Sequence, residues 1–146
     1  MAQHSHGYLF AGPLTTAGSI YTYWGGNYVN LGGGGEAALG RIFTLGGEVA
    51  GLISTRERFA RNAAVLTVGP ACHFVSRSAR KLDPFVAGGF SLLVSRGVQP
   101  ALAIGAGANY WFHERLGLRL EFRDHIWASE GATIQFYGAR FGLAFR

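Results

Sequence analysis

Apolar and polar positions alternate with period two along most of the chain. The pattern is sharpest over residues 116–124. There Leu116, Leu118, Leu120 and Phe122 share one parity, while Gly117, Arg119, Glu121 and Arg123 share the other. A strand places these two sets on opposite faces, whereas a helix mixes them. The end of the chain repeats the pattern: Tyr137, Ala139, Phe141, Leu143 and Phe145 oppose Gly138, Arg140, Gly142 and Ala144. Residues 29–39, 43–52, 64–74, 84–94 and 102–112 follow the same rule in weaker form. A further strand near residues 8–14 has an ambiguous phase, because both of its parities carry apolar side chains.

The count is about eight strands of about ten residues, the length a tilted strand needs to cross a bilayer. The two faces differ in kind. One is bulky and apolar; the other is glycine and alanine with a few arginines and glutamates. A soluble barrel turns its bulky face inward and covers the outside with polar side chains. A face of glycine and alanine covers water poorly, yet it fits the narrow interior of an eight-stranded wall. The bulky face is therefore expected to point outward, against lipid or a large apolar partner. These patterns predict an all-β chain: a closed antiparallel up-and-down transmembrane β-barrel formed by residues 1–146 as one domain, with residues 1–7 a flexible N-terminus.

The connections support this topology. Residues 40–41 and 113–115 read as tight turns, and residues 17–27, 54–62, 95–100 and 127–132 as longer loops. Outer-membrane barrels alternate short periplasmic turns with longer outer loops. Residues 76–82 form a long connection for a periplasmic turn. Tyr8, Phe43, Phe74, Phe112 and Phe145 fall near one set of strand ends and are expected to form an aromatic girdle. Trp24, Tyr28, Trp127 and Phe136 are expected to mark the opposite rim.

Composition sharpens the class. Hydrophobic residues make up 49% of the chain and charged residues only 14%, well under the roughly 25% of a soluble domain. The 23 glycines recur at fixed parity inside apolar segments, unlike a linker, where glycine mixes with serine. No segment approaches the roughly 18 consecutive apolar residues of a membrane-spanning helix. Residues 1–7 are polar and carry no apolar stretch of a signal peptide. Cys72 is the single cysteine, which excludes an intrachain disulfide.

The formal net charge is +5. Arg56, Arg58, Arg61, Arg77, Arg80 and Lys81 fall in connections, where they are solvated or attract an anionic membrane surface. Nothing resembles a nucleic-acid recognition element, so nucleic acid is not an expected partner.

Six charged residues take the inward parity: Glu36, Glu48, Arg119, Glu121, Arg123 and Arg140. Three carboxylates face three guanidinium groups. Counting from the girdle puts Glu48, Glu121 and Arg140 at one level, with Glu36 and Arg119 just below. Charges inside a membrane protein need partners, and arginine pairs with carboxylates bidentately. The expected result is a salt-bridged plug in the lumen.

Other chemistry is weaker. The run Gly32–Gly33–Gly34–Gly35 lacks the lysine and hydroxyl residue of a phosphate loop. His4 and His6 have chelating spacing but fall in the expected flexible terminus, and His73, His113 and His125 are dispersed. No metal or cofactor is expected. His125, Ser129 and Glu130 are the only grouping that suggests a lipid hydrolase, and polar residues at a strand end explain them as well.

The chain resembles the bacterial outer-membrane protein β-barrel family of small OmpA- and OmpX-like barrels. The resemblance spans nearly the whole chain and rests on YLFAGP, LGGGGEAALGR, KLDPFVAGGFSL, NYWFHERLGLRLEFRDH and the terminal YGARFGLAFR. Family members usually end in an aromatic residue, whereas here Phe145 is penultimate and Arg146 last. The resemblance implies an integral bacterial outer-membrane protein and no single activity. Its expected partners are outer-membrane lipid or lipopolysaccharide and the barrel-assembly machinery, and it is expected to be a monomer. The expected function is non-enzymatic, in envelope structure or surface interaction. A narrow channel, a lipid-modifying enzyme and a soluble lipid-binding barrel are the alternatives.

Overall fold

The computed structural model describes residues 5–17, 26–55, 62–74, 81–129 and 131–146. Eight strands follow in order: β1 (His6–Ala17), β2 (Asn27–Ala38), β3 (Phe43–Ser54), β4 (Ala63–His73), β5 (Leu82–Val94), β6 (Val98–His113), β7 (Leu116–Ser129) and β8 (Ala132–Phe145). Each pairs antiparallel with its sequence neighbours, and β8 closes on β1 to complete the barrel. Closure leaves no unpaired edge, which is what a sheet in an apolar medium requires.

Side-chain parity follows the pleat around the wall. Leu118, Leu120 and Phe122 of β7 are exposed, while Arg119, Glu121 and Arg123 between them are buried. Leu9, Val68, Leu102 and Phe141 stand on four different strands, and each is about 60% exposed. The outside is therefore a band of Leu, Val, Ile and Phe, and the inside holds nearly every buried polar group. Several of the expected segments extend: β6 starts at Val98, and β7 and β8 run to a hairpin turned by Gly131 at φ +84°. The loop expected over residues 127–132 is thus mostly strand.

Two further expectations change. The strand β1 begins at His6, so His6 and Gly7 belong to the wall rather than to a flexible terminus. Its phase is also settled: His6, Tyr8, Phe10 and Leu14 face inward and Leu9 faces outward. Large side chains fit inside there because their cross-strand neighbours are glycines. Tyr8 lies opposite Gly34, and Phe10 opposite Gly32 and Gly142.

Candidate functional site

The lumen is built by that large-against-small pairing. Glu121 of β7 sits between Gly107 of β6 and Arg140 of β8, and Arg123 sits between Gly105 and Gly138. A side chain at Gly107 would run into the backbone of Leu120 and Glu121 and the ring of Phe85. Glycine at these positions gives the arginines and glutamates their space.

The end of the lumen nearer the chain termini holds a polar layer. The His73 ring lies between two carboxylates, with Nδ1 3.0 Å from Asp83 and Nε2 2.8 Å from Glu36. Ionised carboxylates only accept, so the ring that satisfies both donates from both nitrogens. Glu36 also accepts from the Thr44 hydroxyl at 2.7 Å and lies 3.2 Å from Arg119. Asn109 links this layer to the next: it donates to Asp83 at 3.2 Å and accepts from Arg119 at 3.3 Å. The Arg119 guanidinium carbon lies 4.1 Å from the centroids of both the Tyr8 and Phe85 rings, a desolvated cation–π arrangement.

Glu121 is the hub of the middle layer. It accepts from Arg119 at 3.1 Å, from Arg123 at 2.6 Å and from Arg140 at 2.9 Å. Glu48 takes both terminal nitrogens of Arg140, at 2.5 and 3.0 Å, and accepts from the Tyr8 hydroxyl at 3.0 Å. Arg140 also lies over the Phe10 ring at 3.9 Å. Glu121 and Arg140 are each 1% exposed. Beside them Thr67, Ser91 and His125 form a short chain, with Oγ1···Oγ 2.7 Å and Oγ···Nδ1 3.3 Å. A cavity of about 20 Å³ lies between the carboxylates and the glycine-rich wall of β3 to β5, room for about one water molecule.

Above the charges the lumen becomes apolar. Leu14, Tyr28, Leu52, Leu93, Trp127, Ile134 and Phe136 are buried in one cluster. Phe136 packs edge-on against Tyr28 and tilted against Trp127, at centroid distances of 5.5 and 5.3 Å.

All six charged residues selected by parity meet in the middle and lower layers. Four of the girdle residues, Phe43, Phe74, Phe112 and Phe145, are exposed at strand ends on the side of the termini. Tyr8 is not among them: it is 4% exposed and bonded to Glu48 inside the barrel. Tyr28, Trp127 and Phe136, expected at the opposite rim, also face inward, and Trp24 lies outside the described residues. Parity already carried that information, since Trp127 shares the phase of Arg123 and Phe136 that of Arg140. Asp83, His73, Asn109 and Thr44 also face the lumen. A choice restricted to Asp, Glu and Arg at inward positions of the expected segments passes over them, because Thr44 and Asn109 are neutral, His73 stands among the dispersed histidines, and Asp83 precedes the segment 84–94.

His4, Glu130, Arg56, Arg58, Arg61, Arg77 and Arg80 lie outside the described residues. His125 is buried in the lumen with Ser91 beside it. Among the described residues, no group of three or more His, Cys, Asp or Glu side chains could hold a metal ion.

No protein-family model matches the chain, and no curated protein sequence matches it. Solved structures do match in shape. Neisserial surface protein A aligns over 99% of this chain and 98% of its own, with a TM-score of 0.82 at 9% identity. The N-terminal β-barrel domain of Pseudomonas aeruginosa OprF covers the same shares, with a TM-score of 0.68 at 17% identity. The P. aeruginosa outer membrane protein OprG aligns over 99% of this chain and 96% of its own, with a TM-score of 0.61 at 9% identity. The chain has the fold of the small eight-stranded outer-membrane β-barrels, a closed all-antiparallel wall with no helix in its described residues.

Proposed function

We propose that this protein is an integral barrel of the bacterial outer membrane with a closed lumen. It serves envelope structure or surface interaction, and it is neither an enzyme nor an open pore. The observation that carries the reading is the pairing of two opposites across one wall. The outside is an apolar band with four exposed phenylalanines at one end, and the inside is filled by the Glu48–Arg140–Glu121–Arg123 network beneath an apolar cap. Water is the wrong medium for that outside, and eight strands leave no space for a porin-like channel. Its partners on this reading are outer-membrane lipid, lipopolysaccharide and the assembly machinery that inserts it, and it works as a monomer.

Of the grouping that suggests a lipid hydrolase, His125 is 6% exposed and turned into the lumen beside Ser91, a buried placement that supports the non-enzymatic reading. Glu130 and the Ser129 side chain lie outside the described residues. Two measurements on the folded protein test the proposal together. Gel mobility should change on boiling, and planar-bilayer recordings should show no steady conductance. A protein that stays monomeric and dispersed in plain buffer overturns the membrane assignment, and a large steady wild-type conductance overturns the closed lumen.

A further inference from the structure

The end of the barrel that carries both termini holds four exposed cations close along the chain, or through strand pairing, to the exposed phenylalanines. Arg41 lies two residues before Phe43, Arg115 three after Phe112, and Arg146 one after Phe145. Lys81 starts the approach to β5, whose Phe85 pairs with His73 next to Phe74. All four cations are exposed, and Glu114 is the one exposed carboxylate among the described residues. None of the four makes an ion pair with another described residue.

The backbone beneath them is tied together. The Trp111 N–H donates to the Lys81 carbonyl at 2.7 Å, and the Arg146 N–H to the Arg115 carbonyl at 3.1 Å. On the other side of the rim, the Leu39 N–H donates to the Phe43 carbonyl at 2.9 Å and the His73 N–H to the Ile42 carbonyl at 2.7 Å. The Arg146 guanidinium is further held over the Trp111 ring at 3.8 Å. The turn bearing Arg41 also exposes Leu39 and Ile42 beside it. Arg41 and Arg115 therefore stand in the β2–β3 and β6–β7 turns, Lys81 directly precedes β5 and Arg146 directly follows β8, all at the barrel end that carries the exposed phenylalanines.

We propose that these four cations form a binding rim for the anionic phospholipid headgroups of the leaflet at that end. Apolar anchors set the depth, and Arg41, Lys81, Arg115 and Arg146 meet the phosphates just above it. Charge complementarity selects the occupant: four exposed cations with no ion pair among the described residues attract anionic lipid, each contributing near the surface and fading within a Debye length. Preorganisation adds to this, since the backbone of Lys81, Arg115 and Arg146 and of the turn around Arg41 is already hydrogen-bonded.

The inference rests on the membrane reading above, and the experiment separates the two. The full chain is reconstituted in phosphatidylcholine bilayers with trace spin-labelled phosphatidylglycerol or spin-labelled phosphatidylcholine. Protein-contacting lipid is then read as the motionally restricted component. Wild type should prefer the phosphatidylglycerol label by about threefold or more at low salt. High salt should reduce that preference, and the quadruple variant Arg41→Gln, Lys81→Gln, Arg115→Gln, Arg146→Gln should bring it to parity. Arg96→Gln, at the opposite end, should leave it unchanged.

Equal association of the two labels with wild type overturns the rim, as does a preference that survives the quadruple change or disappears with Arg96. Absence of any restricted component overturns the membrane reading itself. Should the quadruple variant fail to fold, the wild-type preference and its salt dependence decide alone: a preference below about threefold, or one that salt leaves unmoved, overturns the rim.

Discussion

The two halves of the lumen fill the same kind of space by different means. Below, Glu36, Glu48 and Glu121 meet Arg119, Arg123 and Arg140 through directed bonds, and Asp83, His73, Asn109 and Tyr8 take up the remaining donors and acceptors. Above, Leu14, Tyr28, Leu52, Trp127, Ile134 and Phe136 fill the space as one packed apolar cluster. The lower half depends on each partner being present, because a buried charge without its counter-charge is far worse than no charge at all. The upper half depends on volume and tolerates exchanges that conserve it. A bidentate site such as Arg140 between Glu48 and Glu121 does not accept lysine as an equivalent.

The largest expected break in that comparison is Glu121→Ala. It strips a shared carboxylate from three arginines at once, leaving a net positive, buried cluster. Breaking a buried pair commonly costs about 3–5 kcal/mol, and this substitution breaks three. Reversible urea unfolding in lipid vesicles should show a loss at least that large. Arg96→Ala, exposed in the β5–β6 turn, should change stability by no more than about 0.5 kcal/mol. Equal effects for the two substitutions would remove the network from the energetics of the fold.

Next comes Phe136→Ala in the cap. Its ring is 1% exposed and touches Tyr28 and Trp127, so its removal leaves a cavity worth about 3 kcal/mol. The two losses should also differ in kind. Phe136→Leu should recover most of the cap's stability, while no neutral residue should recover Glu121. If Phe136→Leu is as damaging as Phe136→Ala, the cap is not a volume-filling layer.

How much of this was legible in the chain depends on how unlike its two parities are. On β7, leucines alternate with Arg and Glu, so the strand, its face and its charged lumen residues all follow from spacing. On β1 both parities are apolar, and only closure against Gly32, Gly34 and Gly142 decides that Tyr8 and Phe10 go inside. The inward aromatics Tyr28, Trp127 and Phe136 were read as a rim because aromatic residues near strand ends suggest an interface. Their parity with Asn30, Arg123 and Arg140 pointed inward. The His73 site was beyond reach because it joins Glu36, Asp83 and Asn109 from β2, β5 and β6, and only the barrel's curvature brings those strands face to face.

The glycines give a finer test of the same packing. A Cβ at Gly105 would lie 2.9 Å from the Phe122 carbonyl oxygen and 3.0 Å from both the Arg123 Nε and Glu121 Oε1 atoms. At Gly47, on the outer face, it would meet nothing within 4 Å. Overpacking costs about 1–3 kcal/mol, so Gly105→Ala should lower the unfolding free energy by that amount while Gly47→Ala leaves it unchanged or slightly raised. Indistinguishable variants would mean that the network has slack the structure does not show.

The smallest effect concerns Tyr8, the residue on which spacing and structure part company. Tyr8→Phe keeps the ring and its contact with Arg119 and removes only the hydroxyl that donates to Glu48 at 3.0 Å. Hydrogen bonds to charged groups are worth more than neutral ones, but Glu48 retains both nitrogens of Arg140. The expected loss is therefore about 1 kcal/mol. A girdle tyrosine would behave otherwise, because its hydroxyl would sit at the water interface and lose nothing on removal. Quenching of tyrosine emission by lipid-soluble quenchers, compared between folded wild type and single Tyr→Phe variants at residues 8 and 110, gives an independent check. An inward Tyr8 should be shielded from lipid-soluble quenchers that reach the outward, half-exposed Tyr110. A neutral Tyr8→Phe together with quenching at Tyr8 would return that strand to the opposite phase and pull the Glu48 end of the network apart.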